Sequence, residues 1–135
     1  MKTTLPALHV LFPPSLGRPK ATARAELLEK ALTNELGVPV TIRVTDDYRD
    51  LEKRALGAEA HLVWAPAGVC ARIDTYARAF YKAVRQGVAT YRSAIIVRID
   101  EQAKVEELRG ARAAWVDRYS LGGYLLAADY LRRRR

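Results

Sequence analysis

Cysteine and histidine are scarce in this sequence, and long apolar runs are absent from it. Among the 135 residues there is one cysteine, Cys70, so no internal disulfide can form. The two histidines, His9 and His61, stand in strand-like segments, and neither has a partner at the spacing of a metal site. No apolar run approaches the ~18 residues that a membrane-spanning helix needs. We therefore expect no disulfide framework, no bound metal and no membrane span.

Groups arranged for catalysis are missing as well. The sequence contains no paired carboxylates, no Ser-His-Asp pattern and no phosphate-loop motif. Cys70 lies in an apolar stretch without a histidine near it, which favours a buried small side chain over a reactive thiol. We expect a non-catalytic protein that has no cofactor.

Basic residues outnumber acidic ones, and the formal net charge is +8. The terminal Arg132–Arg135 supplies four of these charges. Such a tail could contact nucleic acid or an acidic surface, or it is a solvated helix end whose cations complement the helix dipole. No aromatic or glycine-rich RNA-binding motif accompanies the tail, so we do not expect a nucleic-acid partner.

The N-terminal half alternates between strand and helix patterns. Half of the residues are apolar and 28% are charged, as in soluble globular domains. Gly37, Pro39 and Gly57 are turn or helix-stop signals that separate the elements. The alternation predicts an α/β fold, with a mostly parallel sheet and helices on both faces. The predicted strands are Leu8–Phe12, Val40–Val44 and His61–Trp64, and the predicted helices are Ala21–Leu36, Tyr48–Leu56 and Val69–Arg78.

The C-terminal half has a different pattern. Residues 79–85 and 90–99 are strand-like and are joined around Gln86-Gly87. A short helix is predicted over 100–108 and a strand over 111–116. This half therefore departs from the regular alternation.

A strand, a turn and a helix are predicted around Ser120. An apolar run stops at residue 116, and a helical pattern starts at Tyr124. The first turn of a helix carries unpaired N–H groups and the positive end of the helix dipole, which together attract an anion. Gly122 and Gly123 allow a ligand to approach the backbone because they have no Cβ. The alternative is an ordinary strand-to-helix connection that Ser120 caps.

Several segments, in order along most of the chain, match one family pattern. They are Phe12–Ser15, Leu36–Val40, Asp47-Tyr48, His61–Pro66, Tyr91–Arg98, Glu107–Gly110 and Trp115–Leu125. With this order and spacing the chain resembles the first half of a phosphonate/phosphate-type substrate-binding protein of ABC transporters. That family belongs to the two-lobed type II periplasmic binding proteins.

The resemblance implies a small anionic solute, phosphate-like or phosphonate-like, as the ligand and a transporter permease as a partner. In the family the turn at Ser120–Gly123 reads Ser-Thr-Ser-Gly, and its hydroxyl and N–H groups hold the oxyanion. Tyr48 and Tyr91 match tyrosines that line the cleft, and Ser93 lies in the strand that crosses between the lobes. With Ser15 at the carboxyl end of the first strand, where parallel sheets bind ligands, the candidate ligand-binding residues are Ser15, Tyr48, Tyr91, Ser93, Ser120, Leu121, Gly122 and Gly123.

Two residues of the turn depart from the family pattern. Leu121 and Gly122 stand where hydroxyl residues are expected. Each lost neutral hydrogen bond costs roughly 0.5–1.5 kcal/mol, so a less polar ligand becomes an option. A second hypothesis is a relative that has lost the oxyanion site and acts as a protein-interaction or sensor domain.

The resemblance also implies how the chain is organised. Residues 1–88 would form the first lobe, 89–99 a crossover strand, and 100–135 the beginning of a truncated second lobe. The strand that normally returns to complete the first sheet would then be absent, which exposes a sheet edge and favours a homodimer. The family works outside the cytoplasm, yet no signal peptide follows Lys2, so we expect either a cytoplasmic protein or one whose leader has been removed.

Overall fold

The computed structural model describes residues 6–15, 17–100 and 104–134. The chain divides into two compact units, and the division falls between Ala77 and Arg78. The residues 101–103 of the predicted helix over 100–108, and Arg135 of the basic tail, lie outside the described residues. In the described part of the chain, no helix has the length and apolar character needed to cross a membrane.

A parallel sheet of three strands forms the centre of the first unit. The strands are β1 (Leu8–Phe12), β2 (Val40–Val44) and β3 (Leu62–Val63), and their order in the sheet is β2-β1-β3. Leu8 of β1 pairs with Val40 of β2, and Val10 pairs with Leu62 of β3. Parallel neighbours need crossover connections, and each connection here contains a helix. The predicted α/β class with a parallel sheet is confirmed.

The helices of the first unit begin and end at residues with clear local signals. They are α1 (Arg18–Leu36), α2 (Tyr48–Leu56) and α3 (Ala67–Ile73), and a 3₁₀ turn, Asp74–Tyr76, follows α3. At the end of α1, Gly37 has a φ of 66° and donates its N–H to the carbonyl of Thr33. At the start of α2, the Asp47 carboxylate accepts the N–H of Asp50 at 2.6 Å. In place of the predicted helix Val69–Arg78, the structure has α3, which starts two residues earlier and ends at Ile73.

The core of the first unit lies between the sheet and the helices α2 and α3. Its buried apolar side chains come from β1, α2 and α3, and they are Leu11, Leu51, Val69 and Ile73. On the outer side of β2, Glu29 and Thr33 of α1 accept the backbone N–H groups of Ile42 and Val40. These side chains satisfy donors that an edge strand would otherwise expose. The sheet edge that has no such cover in the described residues is that of β3.

The second unit has little regular structure. It contains a 3₁₀ turn, Val105–Leu108, a π-helical turn, Leu121–Leu125, and the helix α4 (Leu126–Arg133). Where we predicted strands, over 79–85, 90–99 and 111–116, the described residues contain only an isolated antiparallel bridge between Arg85 and Val88. The strand predictions were wrong because a β-prone sequence forms a strand only where a neighbour pairs with its backbone.

The two strand-like segments were predicted to join around Gln86-Gly87, and the chain does turn at these two residues. Both residues have positive φ, 50° and 76°, and Arg85 and Val88 exchange two backbone hydrogen bonds of 2.9 Å. Positive φ at both central residues defines the hairpin turn that favours glycine at its second position. The hairpin is limited to this single bridge among the described residues.

Candidate functional site

The loop from Ser120 to Gly123 opens the C-terminal helix of the second unit. Ser120 has extended backbone angles, and its Oγ accepts the N–H of Gly123 at 3.1 Å. The Ser120 carbonyl accepts the N–H groups of Tyr124 and Leu125 at 3.1 and 3.0 Å. Ser120 is therefore a helix N-cap, and two amides of the first turn bond to the same carbonyl.

Among the described residues, no acceptor is found for two N–H groups of this first turn. The N–H of Ser120 donates to the carbonyl of Asp117, and that of Gly123 donates to the cap. Between them, the amides of Leu121 and Gly122 have no acceptor among the described residues. Since the Ser120 hydroxyl accepts one hydrogen bond, its own proton is free to donate another. Three donors are thus available in three consecutive residues.

Residues 91–93 hold the loop from one side. The Ser93 hydroxyl donates to the carbonyl of Gly122. A Cβ placed on Gly122 would lie 2.7 Å from Cε2 of Tyr91, so the tyrosine ring packs directly against this glycine. The peptide that joins Gly122 to Gly123 is consequently fixed at both ends, its carbonyl by Ser93 and its N–H by Ser120.

Residues 115–116 contact the loop and its helix as well. The Val116 N–H donates to the carbonyl of Gly123 at 3.4 Å, and a Cβ on Gly123 would stand 2.5 Å from Cγ2 of Val116. The rings of Trp115 and Tyr124 meet edge to face at 5.1 Å. The predicted turn and helix are present. The residues before them, predicted as a strand, are not in a strand, and residues 115–116 make the contacts just described.

The first unit brings together two other candidates, Ser15 and Tyr48. Ser15 follows β1, Tyr48 is the first residue of α2, and their hydroxyl oxygens are 3.4 Å apart. Both therefore lie beyond the carboxyl ends of β1 and β2, where parallel sheets place ligand-binding residues. An ion pair between Arg18 and Asp46 lies there as well and was not predicted from the sequence. Their positions just after β1 and β2 are the signal that could have indicated it.

The remaining reactive side chains have structural roles. The Nδ1 atom of His61 accepts the backbone N–H of His9 at 3.0 Å, and the two imidazole rings stack at 5.5 Å. Cys70 is half-buried and donates to the carbonyl of Ala65, and burial raises the pKa of its thiol. A raised pKa means less thiolate at neutral pH, which does not suit a nucleophile. Within 6–15, 17–100 and 104–134, no three His, Cys, Asp or Glu side chains are grouped to hold a metal.

Arginines at the end of α4 bond to carboxylates and to an aromatic ring. Arg133 pairs with Asp129 at 2.9 Å, one helical turn earlier. Arg134 lies 3.7 Å from a carboxylate oxygen of Glu106 and 5.0 Å from the centre of the Tyr130 ring. These contacts fit a solvated helix end, and a nucleic-acid partner remains unexpected.

The first unit is an α/β lobe with a parallel sheet, and the loop Ser120–Gly123 of the second unit carries two N–H groups that have no acceptor among the described residues. A family model described as "ABC transporter, phosphonate, periplasmic substrate-binding protein" matches residues 10–135. This match spans most of the chain, so the protein belongs to the phosphonate-binding family of ABC-transporter substrate-binding proteins. The family resemblance found in the sequence is thereby confirmed. No curated protein and no solved structure matches the chain significantly.

Proposed function

We propose that this protein is a non-catalytic solute-binding domain and that the loop Ser120–Gly123 binds the oxyanion of its ligand. Membership of the family makes the chain a phosphonate-type substrate-binding domain that works with an ABC transporter. The observation that supports the site is the pair of unpaired amides at Leu121 and Gly122 beside the free proton of Ser120. Unpaired amides at a helix start are donors that suit an anion.

The three donors suit an oxyanion because each can meet a different oxygen or lone pair. Hydrogen bonds to a charged acceptor are worth about 1.5–3 kcal/mol each, roughly twice the value for a neutral one. The α4 helix and its preceding turn add the positive end of a helix dipole. Ser93 orients the loop through the Gly122 carbonyl, and Tyr91 forms a wall beside it. Binding by these groups requires no covalent bond to be made or broken.

The chemistry of the loop favours a phosphonate with a small apolar substituent. Leu121 and Gly122 supply no side-chain hydroxyl, and the Tyr91 ring is an apolar surface next to Gly122. Bound inorganic phosphate would leave more of its oxygens without a hydrogen-bond donor than a bound alkylphosphonate, because the carbon substituent of the phosphonate needs no donor. In the first unit, the hydroxyls of Ser15 and Tyr48 form a separate polar group that we also assign to solute binding.

A proline at position 121 tests the role of the unpaired amide. Leu121 is the first residue of the helical turn, where proline is favoured, and Ser120 before it has the extended backbone that proline requires. Leu121→Pro therefore removes an N–H that has no acceptor among the described residues. Leu121→Ala is the matched control, because it removes the same leucine side chain and keeps the N–H.

Binding of methylphosphonate, phosphite and phosphate is measured by isothermal titration calorimetry, with circular dichroism as the check on folding. We expect the wild type and Leu121→Ala to bind methylphosphonate, and Leu121→Pro to bind about tenfold or more weakly. Equal affinity of the proline and alanine variants would exclude the amide from the site. A folded wild type that binds none of the three anions would refute the proposal as a whole.

A second function, a protein-interaction or sensor domain, is favoured by one feature of the second unit. Large apolar side chains are exposed between residues 80 and 99, and Tyr81, Ile96 and Ile99 are at least 87% exposed. Apolar surface of this kind often marks an interaction site. A specific partner recovered by the wild type, together with no anion binding, would favour this function over the first.

A further inference from the structure

The positive charge of the chain is concentrated in its second unit. Residues 78–135 contain 13 basic and 6 acidic residues, whereas residues 1–77 contain 10 and 9. Seven of the eight net positive charges therefore belong to the second unit. The segment Arg78–Ile99 contributes five basic residues and no acidic one. A charge asymmetry of this kind between two parts of a chain is typical of binding to an anionic surface.

The five cations of the segment Arg78–Ile99 are all exposed. Arg98 bonds to the carboxylate of Asp100. The other four have no carboxylate partner among the described residues, and they are Arg78, Lys82, Arg85 and Arg92. Their charges are consequently available to an anionic partner from outside the chain.

Large apolar side chains are exposed between these cations. Tyr81 is 91% exposed, Ile96 is 87% exposed and Ile99 is fully exposed. Others in the segment are Phe80, Val84, Val88 and Val97. Apolar surface of this extent marks a place where a protein binds another molecule or a membrane.

Cations interleaved with apolar side chains match an anionic bilayer better than a nucleic acid or a folded protein. At a bilayer surface, Lys and Arg meet lipid phosphates while their stems and the neighbouring apolar side chains enter the boundary of the acyl chains. Tyrosine rings are favoured at the same depth. A nucleic acid would leave Ile96 and Ile99 in water, because bases stack on aromatic rings. A protein interface requires closely matched shapes, whereas the regular pairing of this segment is limited to the bridge between Arg85 and Val88 in the described residues.

We propose that the segment Arg78–Ile99 binds the surface of an anionic membrane. Its cations pair with lipid phosphates, and the side chains of Tyr81, Ile96 and Ile99 insert beside them. This inference goes beyond the proposed function and does not depend on the loop Ser120–Gly123. Its consequence is to hold a domain that works with an ABC transporter at a membrane surface.

The test measures binding of the full chain to lipid vesicles by flotation. One set of vesicles contains phosphatidylcholine alone, and the other contains about 30% phosphatidylglycerol, an anionic lipid. We expect the protein to bind the second set and to bind the first set far more weakly. Raising the ionic strength from about 0.1 M to about 0.5 M should weaken the binding, because salt screens charges at a surface.

A triple variant removes three of the cations that have no carboxylate partner in the described chain. It combines Lys82→Gln, Arg85→Gln and Arg92→Gln. Each cation near an anionic surface strengthens binding about fivefold, so the triple variant should raise the apparent Kd for lipid about a hundredfold. Circular dichroism confirms that the variant is folded.

The matched control removes the same charge from the first unit. It combines Lys20→Gln, Arg24→Gln and Lys30→Gln, which are exposed on α1 and also have no carboxylate partner among the described residues. Since both triple variants have the same net charge, a difference between them reports where the charge lies. The control should keep a Kd close to that of the wild type.

A second pair of variants tests the apolar contribution. Ile99→Ser removes an exposed aliphatic side chain from the segment, and Leu27→Ser removes one that is 70% exposed on α1. Binding at a bilayer surface grows with the apolar area that is buried there, so Ile99→Ser should raise Kd about tenfold. Leu27→Ser should leave Kd unchanged.

The remaining outcomes overturn the inference. A folded wild type that does not bind the anionic vesicles refutes it, and so does equal binding to both sets of vesicles. Equal losses in the two triple variants would show an effect of net charge alone. An unchanged Kd in Ile99→Ser would show that the segment does not insert. Binding of a DNA oligomer without binding of vesicles would assign the cations to a nucleic acid instead. Because no arm contains methylphosphonate, these results are independent of the proposed function.

Discussion

Substitution of Ser120 by aspartate should separate the two roles that the proposed site gives to this residue. The Ser120 Oγ accepts the N–H of Gly123 at 3.1 Å and so caps the helix. In our proposal its proton also donates to the bound oxyanion. An aspartate carboxylate accepts the same N–H but has no proton to give and brings a negative charge. Ser120→Asp is therefore expected to keep the fold and lose the ligand.

The size of each effect follows from the geometry. Aspartate and serine are about equally good N-caps, whereas Ser120→Ala removes the cap at a cost of about 1 kcal/mol of unfolding free energy. A carboxylate about 4 Å from an anion is repelled by ~4 kcal/mol at an effective dielectric constant of ~20, or about a thousandfold in Kd. Salt reduces this figure because the site is only partly buried. The repulsion still exceeds any gain from the cap.

Thermal unfolding and calorimetry with methylphosphonate provide the two measurements. Ser120→Asp should keep or raise Tm and abolish measurable binding, whereas Ser120→Ala should lower both. Ser120→Thr keeps the hydroxyl, so it should leave Tm and Kd close to those of the wild type. The reasoning is refuted if Ser120→Asp binds the anion as tightly as the wild type while it remains folded.

Two further predictions concern stability and assembly. Burial alone would raise the pKa of Asp50. Hydrogen bonds from the Arg54 side chain and the Asp46 N–H, together with the charges of Arg54 and Arg43, hold this pKa below its ordinary value. Its stabilising effect is thus present above about pH 4 and is lost as the pH falls through the folded pKa, so Asp50→Asn should lower Tm at pH 7, and the difference from the wild type should shrink as the pH is lowered below about 4. The uncovered edge of β3 predicts a homodimer that Leu62→Lys makes monomeric. Light scattering on size-exclusion fractions checks this, and a well-folded wild-type monomer would contradict it.

Elements bounded by strong local signals were predicted to the residue. The predicted bounds of β1, β2 and α2 are those of the structure, Leu8–Phe12, Val40–Val44 and Tyr48–Leu56. Each is delimited by prolines, a capping aspartate or a glycine, whose backbone preferences act over one or two residues. The start of α1 was placed three residues late, although Pro19 suits the first turn of a helix.

Elements that depend on distant partners were not predicted. The run 93–97 has the strongest β-propensity in the chain, yet it lies outside the strands of the structure. β-propensity describes how side chains fit a pleated surface. It does not indicate whether a neighbouring strand is available for pairing. The contact between Ser93 and Gly122, 29 residues apart in sequence, was hidden for the same reason.

The two glycines of the loop differ from what their sequence alone indicated. Glycine was expected to leave room for a ligand, but the space beside Gly122 is taken by Tyr91 and that beside Gly123 by Val116. The loop is thus closely packed on its side-chain positions, while two of its amides have no partner in the part of the chain that the structure describes. Protein amides are seldom left unpaired away from water, so these two must be satisfied by solvent or by a ligand. In our proposal an anion replaces that solvent, and a closely packed loop whose donors are already in place loses little entropy when the anion binds.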